Sequence, residues 1–446
     1  MRIIRDAQTS IFDFYSSHPV GQQLEALSNM LDDQPSLLAA VQQDLSDEGA
    51  TCTGTNGLSV ESVFRCLLLK QILQVSYEQL SFHLSDSATY RTFARLQPDQ
   101  SPSRSGLHGA IRRIRAASLE TANDLLVGDL INSGTIDIRN LRIDSTVTES
   151  NIAPPNDSSL LEDGVRALSR LLSKSKDETG IRHRLTDQRR LAKSLSYKIF
   201  FAKKPEKDEL YPKLLRCATR VIKQSGRALD KVRIEGSKNE FTQRWIEKVV
   251  HFRQLLLRVI DQTQRRVYGE ETVPADEKLV SLFEPHTSII VKGERDVLYG
   301  HKINLATQSN GFIVYLKIEQ GNPADSNLYH PVLQGCQYTY GQLPDMVVAD
   351  GGYASQANVK RAQALGVRKN VFSKPVGLSL CDMGIKRKTL ERQRNFRAGV
   401  EGNISELKRA FGAGKAMWKG QEGFNAFVWA STLCYNLTRS VRFSSA

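Results

Sequence analysis

The chain has no cysteine pair at metal-ligand spacing. Its six cysteines (Cys52, Cys66, Cys217, Cys336, Cys381, Cys434) are scattered singly. That pattern argues against a zinc module and against a disulfide framework, and it favours reduced thiols. No apolar run approaches the roughly 20 residues of a membrane span. The first residues, Met-Arg-Ile-Ile-Arg-Asp, lack a signal-type apolar core. A soluble, cytoplasmic protein with no membrane partner is expected. RRM-like aromatic motifs are also missing, which counts against RNA recognition. Acid is scarce relative to base: 48 Asp and Glu face 61 Lys and Arg, a net charge of +13. Such a field attracts polyanions, nucleic acid above all. Ribosomal and membrane-surface proteins share it, so charge alone does not choose among them.

What is present divides by periodicity. From Leu58 to Leu96, Val60, Val63, Phe64, Leu67, Leu68 and Ile72 follow a helical period behind Ser59 as N-cap. A break near Gln74-Val75 precedes a second helix capped by Ser76, and a third runs through Tyr90, Phe93 and Leu96. Short helices with tight turns suit a helix-turn-helix, and equally a small helical bundle. After a loop at Pro98–Ser105, Leu107, Ile111 and Ile114 form an apolar stripe flanked by Arg104, Arg112, Arg113 and Arg115. A DNA-contacting helix and a solvated cationic face are both open there. From Asp137 to Thr148 the period becomes two: Leu141, Ile143 and Val147 share one face, and Arg142, Asp144, Thr146 and Thr148 the other. Residues 157–275 read as helical and basic, either a solvated coiled-coil-like hairpin or a DNA-gripping arm. Strands then resume at Ser288–Lys292 and in a hairpin around Ser309-Asn310-Gly311. A helix follows, capped by Pro323–Ser326. Next come a buried strand Met346–Ala349 ending at Asp350, a helix Gln356–Leu365, a strand Asn370–Ser373, and two more helices.

Three acids stand where chemistry is expected. Asp144 lies mid-strand and Asp350 ends an apolar strand, where open α/β sheets place ligands. Glu401 lies on a helix with Arg397 four residues before it and Lys408 seven after, offsets that share one face. Converging carboxylates repel unless a cation sits among them. Mg²⁺ takes oxygen ligands, and two such ions about 4 Å apart serve phosphodiester cleavage and transfer well. Arg397 and Lys408 then suit phosphates. Plain alternatives exist for each: a turn aspartate, a local hydrogen bond, an i,i+4 ion pair. Glu406 is a nearby acid that would replace Glu401 under a shifted helix register.

With residues 157–275 set aside, the element order is that of an RNase H-like fold. The Arg397–Glu401–Lys408 register and the Asp350-Gly-Gly-Tyr353 block resemble those of DDE transposases of bacterial insertion sequences, over Leu58 to Arg439. The Tyr that opens this group's register is Arg394 here, and Phe396 is nearby but out of register. Ser159–Arg166, Phe283–His286 and Gly321–Asp325 look similar to the ISNCY group. The resemblance implies an α/β RNase H-like catalytic domain (135–156 and 276–446), a basic helical insertion (157–275) and an all-α N-terminal DNA-binding region (1–134). It implies Asp144, Asp350 and Glu401 as catalytic metal ligands for Mg²⁺, with Mn²⁺ substituting. Arg397, Lys408, Arg112 and Arg113 would contact DNA phosphates. The implied partner is double-stranded DNA, transposon ends and target alike, handled by a dimer or larger assembly at the nucleoid. An RNase H-like nuclease without strand transfer and a catalytically dead regulator are the competing readings.

Overall fold

The structure, a computed structural model, describes residues 15, 17–46, 57–292, 296–374 and 377–444. Cys52 and the N-terminal Met-Arg-Ile-Ile-Arg-Asp stretch lie outside them. By contacts the chain forms two compact units: Met1–Asn151 with His301–Ala446, and Ile152–Gly300.

Among the described residues, the first unit begins with seven helices: α1 (Pro19–Asp33), α2 (Pro35–Leu45), α3 (Val60–Leu73), α4 (Tyr77–Asp86), α5 (Ala88–Ala94), α6 (Arg104–Ile111) and α7 (Ala116–Asn132). Their boundaries follow local chemistry. The Ser59 side chain accepts from the Ser62 N–H, and Gln74 ends α3 in the left-handed region. Ser76 and Gln79 form a reciprocal capping box that starts α4. Strand β1 (Asn140–Ser150) follows.

The second unit is helical in α8 (Asp157–Ser173), α9 (Ser175–Thr179), α10 (Arg189–Phe201), α11 (Lys204–Glu235) and α12 (Glu240–Val267). Their apolar stripes meet in one core around Leu161, Leu168, Leu214, Trp245 and Leu256. Gly164 lets α8 lie close to α12, since a Cβ there would collide with Leu256. The unit also holds β2 (Ser288–Lys292), which pairs antiparallel with the first half of β3 (Asp296–Thr307).

Back in the first unit come β4 (Ile313–Ile318), α13 (Asp325–Tyr340), β5 (Met346–Ala349), α14 (Gln356–Leu365), β6 (Lys369–Phe372), α15 (Arg387–Ala410), β7 (Lys415–Ala416) and α16 (Gln421–Ser444). The sheet is mixed. β4 pairs antiparallel with β3, β3 neighbours β1, and β1, β5 and β6 run in that order, with β5 parallel to both. β7 joins the far end of β1. The β1–β5 register runs Asn140↔Met346, Leu141↔Val347, Arg142↔Val348. Two residues beyond that last pair come Asp144, on β1, and Asp350, just past the end of β5. The helices α1–α7 and the sheet share one apolar core, from Leu27 and Leu67 through Leu305 and Val347 to Leu433.

Two local features go beyond the sequence reading. The polar face of β1 is covered: Arg142, Thr146 and Thr148 are buried. A helix covers it, because α15 packs over β1 and β5. The start of α13 has no side-chain cap. Its N-cap is Ala324, and Asp325 is its first helical residue.

Candidate active site

Asp144 and Asp350 stand level because their strands are parallel neighbours in the register above. Glu401 arrives from α15. Its helix is held over the sheet by Arg142, a β1 residue whose guanidinium donates to Thr307 Oγ1 (2.9 Å), the Phe396 carbonyl (2.9 Å) and Asn403 Oδ1 (2.8 Å). The same guanidinium lies 5.0 Å from the Phe396 ring centroid. A Cβ at Gly399 would collide with it, so the helix interior tolerates a glycine there for the sake of close approach. Phe396 is thus part of this support.

The three acids meet around one cation. Arg397 Nη2 lies 3.3 Å from Asp144 Oδ2 and 3.8 Å from Asp350 Oδ1, and Nη1 lies 3.2 Å from Glu401 Oε1. Side-chain exposure rises from 17 % at Asp144 and Arg397 to 47 % at Asp350 and 64 % at Glu401. The cluster therefore has a closed end on the sheet and an open end on the helix. Partial burial would raise the Asp350 carboxyl. The Ser373 Oγ hydrogen bond (2.6 Å), the Gly351 N–H and the charges of Arg397 and Lys374 outweigh it and hold that carboxyl below its ordinary value. Arg394, at the departing register position, donates to the Ser373 carbonyl at 3.4 Å, so it stands beside the residue that holds Asp350.

A fourth acid adjoins the site. Asp325 Oδ1 accepts from Ser145 Oγ at 3.1 Å and from Lys302 Nζ at 3.2 Å, and a Cβ at Gly352 would come within 3.1 Å of Asp325 Oδ2. Lys302 also donates to the Pro323 carbonyl at 2.7 Å. Sequence reasoning missed Asp325, Ser145, Lys302 and Ser373 as members of this neighbourhood. Only the Gly321–Asp325 block pointed toward the first of them.

The remaining expected residues lie elsewhere. Lys408 lines a cavity with residues of α3, α4 and the segment after α15. Glu406 turns away from the three acids, pairing with Arg439 (2.8 Å) and Arg442 (2.9 Å) of α16, so the helix register chooses Glu401. Arg112 donates to the Lys419 carbonyl at 2.8 Å and stacks 5.7 Å from the Trp418 ring centroid. Arg113 follows it at the end of α6 and is half-buried.

The donors here are all oxygens, the chemistry a hard divalent cation takes. Among the described residues no three His, Cys, Asp or Glu side chains are grouped to hold an ion as they stand. The acids converge on the Arg397 guanidinium, which supplies the positive charge. Free thiols do not enter: Cys66, Cys217, Cys336 and Cys434 are buried and, among the described residues, only Cys381 is exposed. No helix among the described residues is long and apolar enough to cross a membrane.

Two family models match the chain. The transposase DDE domain matches residues 256–437, and a transposase domain (DUF772) matches residues 12–112. The first match takes in Asp350, Arg397, Glu401 and Lys408 and begins after Asp144. No curated protein and no solved structure matches the chain.

Proposed function

Because the chain belongs to the DDE-type transposases of insertion sequences, we propose that it binds the terminal inverted repeats of its own element, cleaves the DNA at their ends and joins the freed 3′-hydroxyls to target DNA. The observation that carries this reading is the convergence of Asp144, Asp350 and Glu401, from three separate elements, on one cation. Three carboxylates so close cost free energy unless positive charge lies among them. Such a cost is expected of a site built for metal-assisted phosphoryl chemistry.

The strand order β4, β3, β1, β5, β6 supports an RNase H-like catalytic domain. Its first acid lies on the central strand and its second at the end of the neighbouring one. Residues 157–275 act in this reading as a basic insertion that grips DNA, and residues 1–134 as the helical DNA-binding region. Joining two ends calls for at least two copies on DNA.

Asp144, Asp350 and Glu401 would hold Mg²⁺, or Mn²⁺ in its place. When bound, the metal supplies an activated oxygen nucleophile and charge for the leaving oxygen. The chain's own residues do the rest. Asp144 sits on the rigid sheet and fixes the geometry. Ser373 and Gly351 hold Asp350 ionised and oriented. Arg397 balances the acids while no metal is bound and offers its fork to a phosphate. Lys408 adds a second phosphate contact, and Arg112 and Arg113 contact the backbone further along the duplex.

The test is Mg²⁺-dependent cleavage of DNA carrying the ends that flank this gene, with wild type against Asp144→Asn. Cleavage by wild type alone, exposing a 3′-hydroxyl at the element's end, followed by joining of pre-cleaved ends, is expected. Cleavage without joining would replace this reading with a nuclease. Binding with no cleavage by either protein would replace it with a regulator.

A further inference from the structure

A second site lies in the first unit, away from the three acids. It is a cavity of about 870 Å³, within the roughly 300–1,000 Å³ typical of small-molecule sites. Its wall comes from α3, α4, the end of α15 and the segment leading into α16. Four cations line it, Lys70, Arg104, Lys408 and Lys415, against two carboxylates, Glu78 and Glu149. A pocket so charged suits an anion.

Lys70 is the informative residue. Its side chain is only 8 % exposed, and it sits over the Tyr77 ring, 4.8 Å from the centroid. Among the described residues no carboxylate neutralises it. Burial alone pushes its ammonium down to about 8. A buried lysine with no carboxylate partner lowers stability, so its presence needs a reason. Beside it the wall is aromatic: Tyr77, Trp418 and Phe427. The Tyr77 hydroxyl and the Trp418 indole N–H are buried with no hydrogen-bond partner among the described residues. A buried ammonium with no carboxylate partner, unpaired aromatic donors and flat apolar rings together match one ligand chemistry, a phosphate joined to a planar heterocycle.

We infer that this cavity is a subsite for a single nucleotide of a DNA strand, with the phosphate at Lys70, Lys408 and Arg104 and the base against Tyr77 and Trp418. The identity of the strand rests on the transposase reading, because a protein that works on DNA ends meets nucleotides in strands. The cavity itself does not depend on it. Lys408 links the two sites: it lies two helical turns along α15 from Glu401, so a strand held here continues toward the acids.

The experiment uses the full chain without divalent metal, so that cleavage plays no part. A short single-stranded deoxyoligonucleotide is titrated in while tryptophan fluorescence is followed, for wild type, Lys70→Met and Trp418→Phe. A free deoxynucleoside 5′-monophosphate and inorganic phosphate serve as competitors. Lys70→Met is expected to weaken oligonucleotide binding about tenfold, since the variant cannot donate a charge-assisted hydrogen bond to the phosphate, without lowering the unfolding temperature. Trp418→Phe should remove most of the fluorescence change, and the monophosphate should compete better than phosphate. Unchanged oligonucleotide affinity in Lys70→Met would overturn the proposal, as would a lowered unfolding temperature, which would make Lys70 structural. Phosphate competing as well as the monophosphate would overturn the base half. Lys70-dependent binding of the monophosphate with Lys70-independent binding of the oligonucleotide would reassign the cavity to a free nucleotide. Failure of the transposase reading shows instead as absent metal-dependent cleavage in the wild type.

Discussion

The two units treat charge in opposite ways. Residues 152–300 hold 30 Lys and Arg against 21 Asp and Glu, and so carry +9 of the chain's +13. That excess is spread along exposed helix faces. Most of its ion pairs are local: Arg244 with Glu240, Lys231 with Glu235, Arg265 with Asp261 and Glu271. Such exposed pairs contribute little each, and salt screens them. The first unit is nearly balanced in charge and instead concentrates it. Arg142 is buried on β1, Arg397 stands among three acids, and Arg65 is buried against Glu61 and Asp32. Dispersed charge makes a surface that attracts a polyanion without choosing a point on it. Concentrated charge makes a site. Geometry at a few ångströms separates the two functions.

The largest expected effect tests the concentrated side. Asp350→Asn or Glu401→Gln should lower metal-dependent end cleavage on the order of 10³-fold, with the circular dichroism spectrum unchanged. Full activity in either would show that the acids are mere partners of Arg397. On the other side, Leu256→Ala removes a fully buried contact between α8 and α12. It should destabilise the helical unit by about 2–5 kcal/mol. Calorimetry would then show an earlier transition, and the same shift in every transition would mean the units melt as one. Arg142→Met keeps the stem of the side chain but strands its three hydrogen-bond partners. It should cost about 1–3 kcal/mol for each left unsatisfied, read by denaturant unfolding, and reduce cleavage by displacing α15. Replacing Arg182 and Arg184 together with Gln should leave cleavage chemistry intact. It should reduce the slope of log affinity against log salt by about 0.9 for each phosphate no longer neutralised. An unaltered slope would remove those residues from the DNA surface.

The smallest effect is a pH dependence. Lys70 releases its proton near pH 8 in the folded chain but near its ordinary 10.5 when unfolded. Between those values the unfolded state binds the extra proton, so stability rises with pH across that window. Arg104, Lys408, Lys415, Glu78 and Glu149 share its cavity. Thermal unfolding of wild type against Lys70→Met should therefore show the variant's advantage shrinking from pH 8 to 10.5. A constant difference would mean Lys70 keeps its proton.

Some of this was legible along the chain and some was not. α14 was readable to the residue at Gln356–Leu365, because local periodicity and a Gly366 stop determine it. Asp350 was legible because an apolar run ended on it. The cover over β1 was not: alternation marked Arg142, Thr146 and Thr148 as a polar face, and nothing local says that a helix from far along the chain will pack on that face. Asp325 was legible as part of a helix start, and its place beside Ser145 and Lys302 depends on which strands become neighbours.

The sequence by itself determined the balance of charge, many local starts and stops of helices and strands, and the four-residue spacing of Arg397 and Glu401 on one helix. Those depend on side chains a few residues apart, whose spacing the chain fixes directly. Only the tertiary structure decided that Arg397 stands among all three acids, that Glu401 and not Glu406 faces them, and that Lys408 belongs to a separate cavity. Each depends on the rotation of α15 over the parallel β1–β5 pair. That rotation is chosen by packing around the buried Arg142, an interaction between residues far apart in the chain.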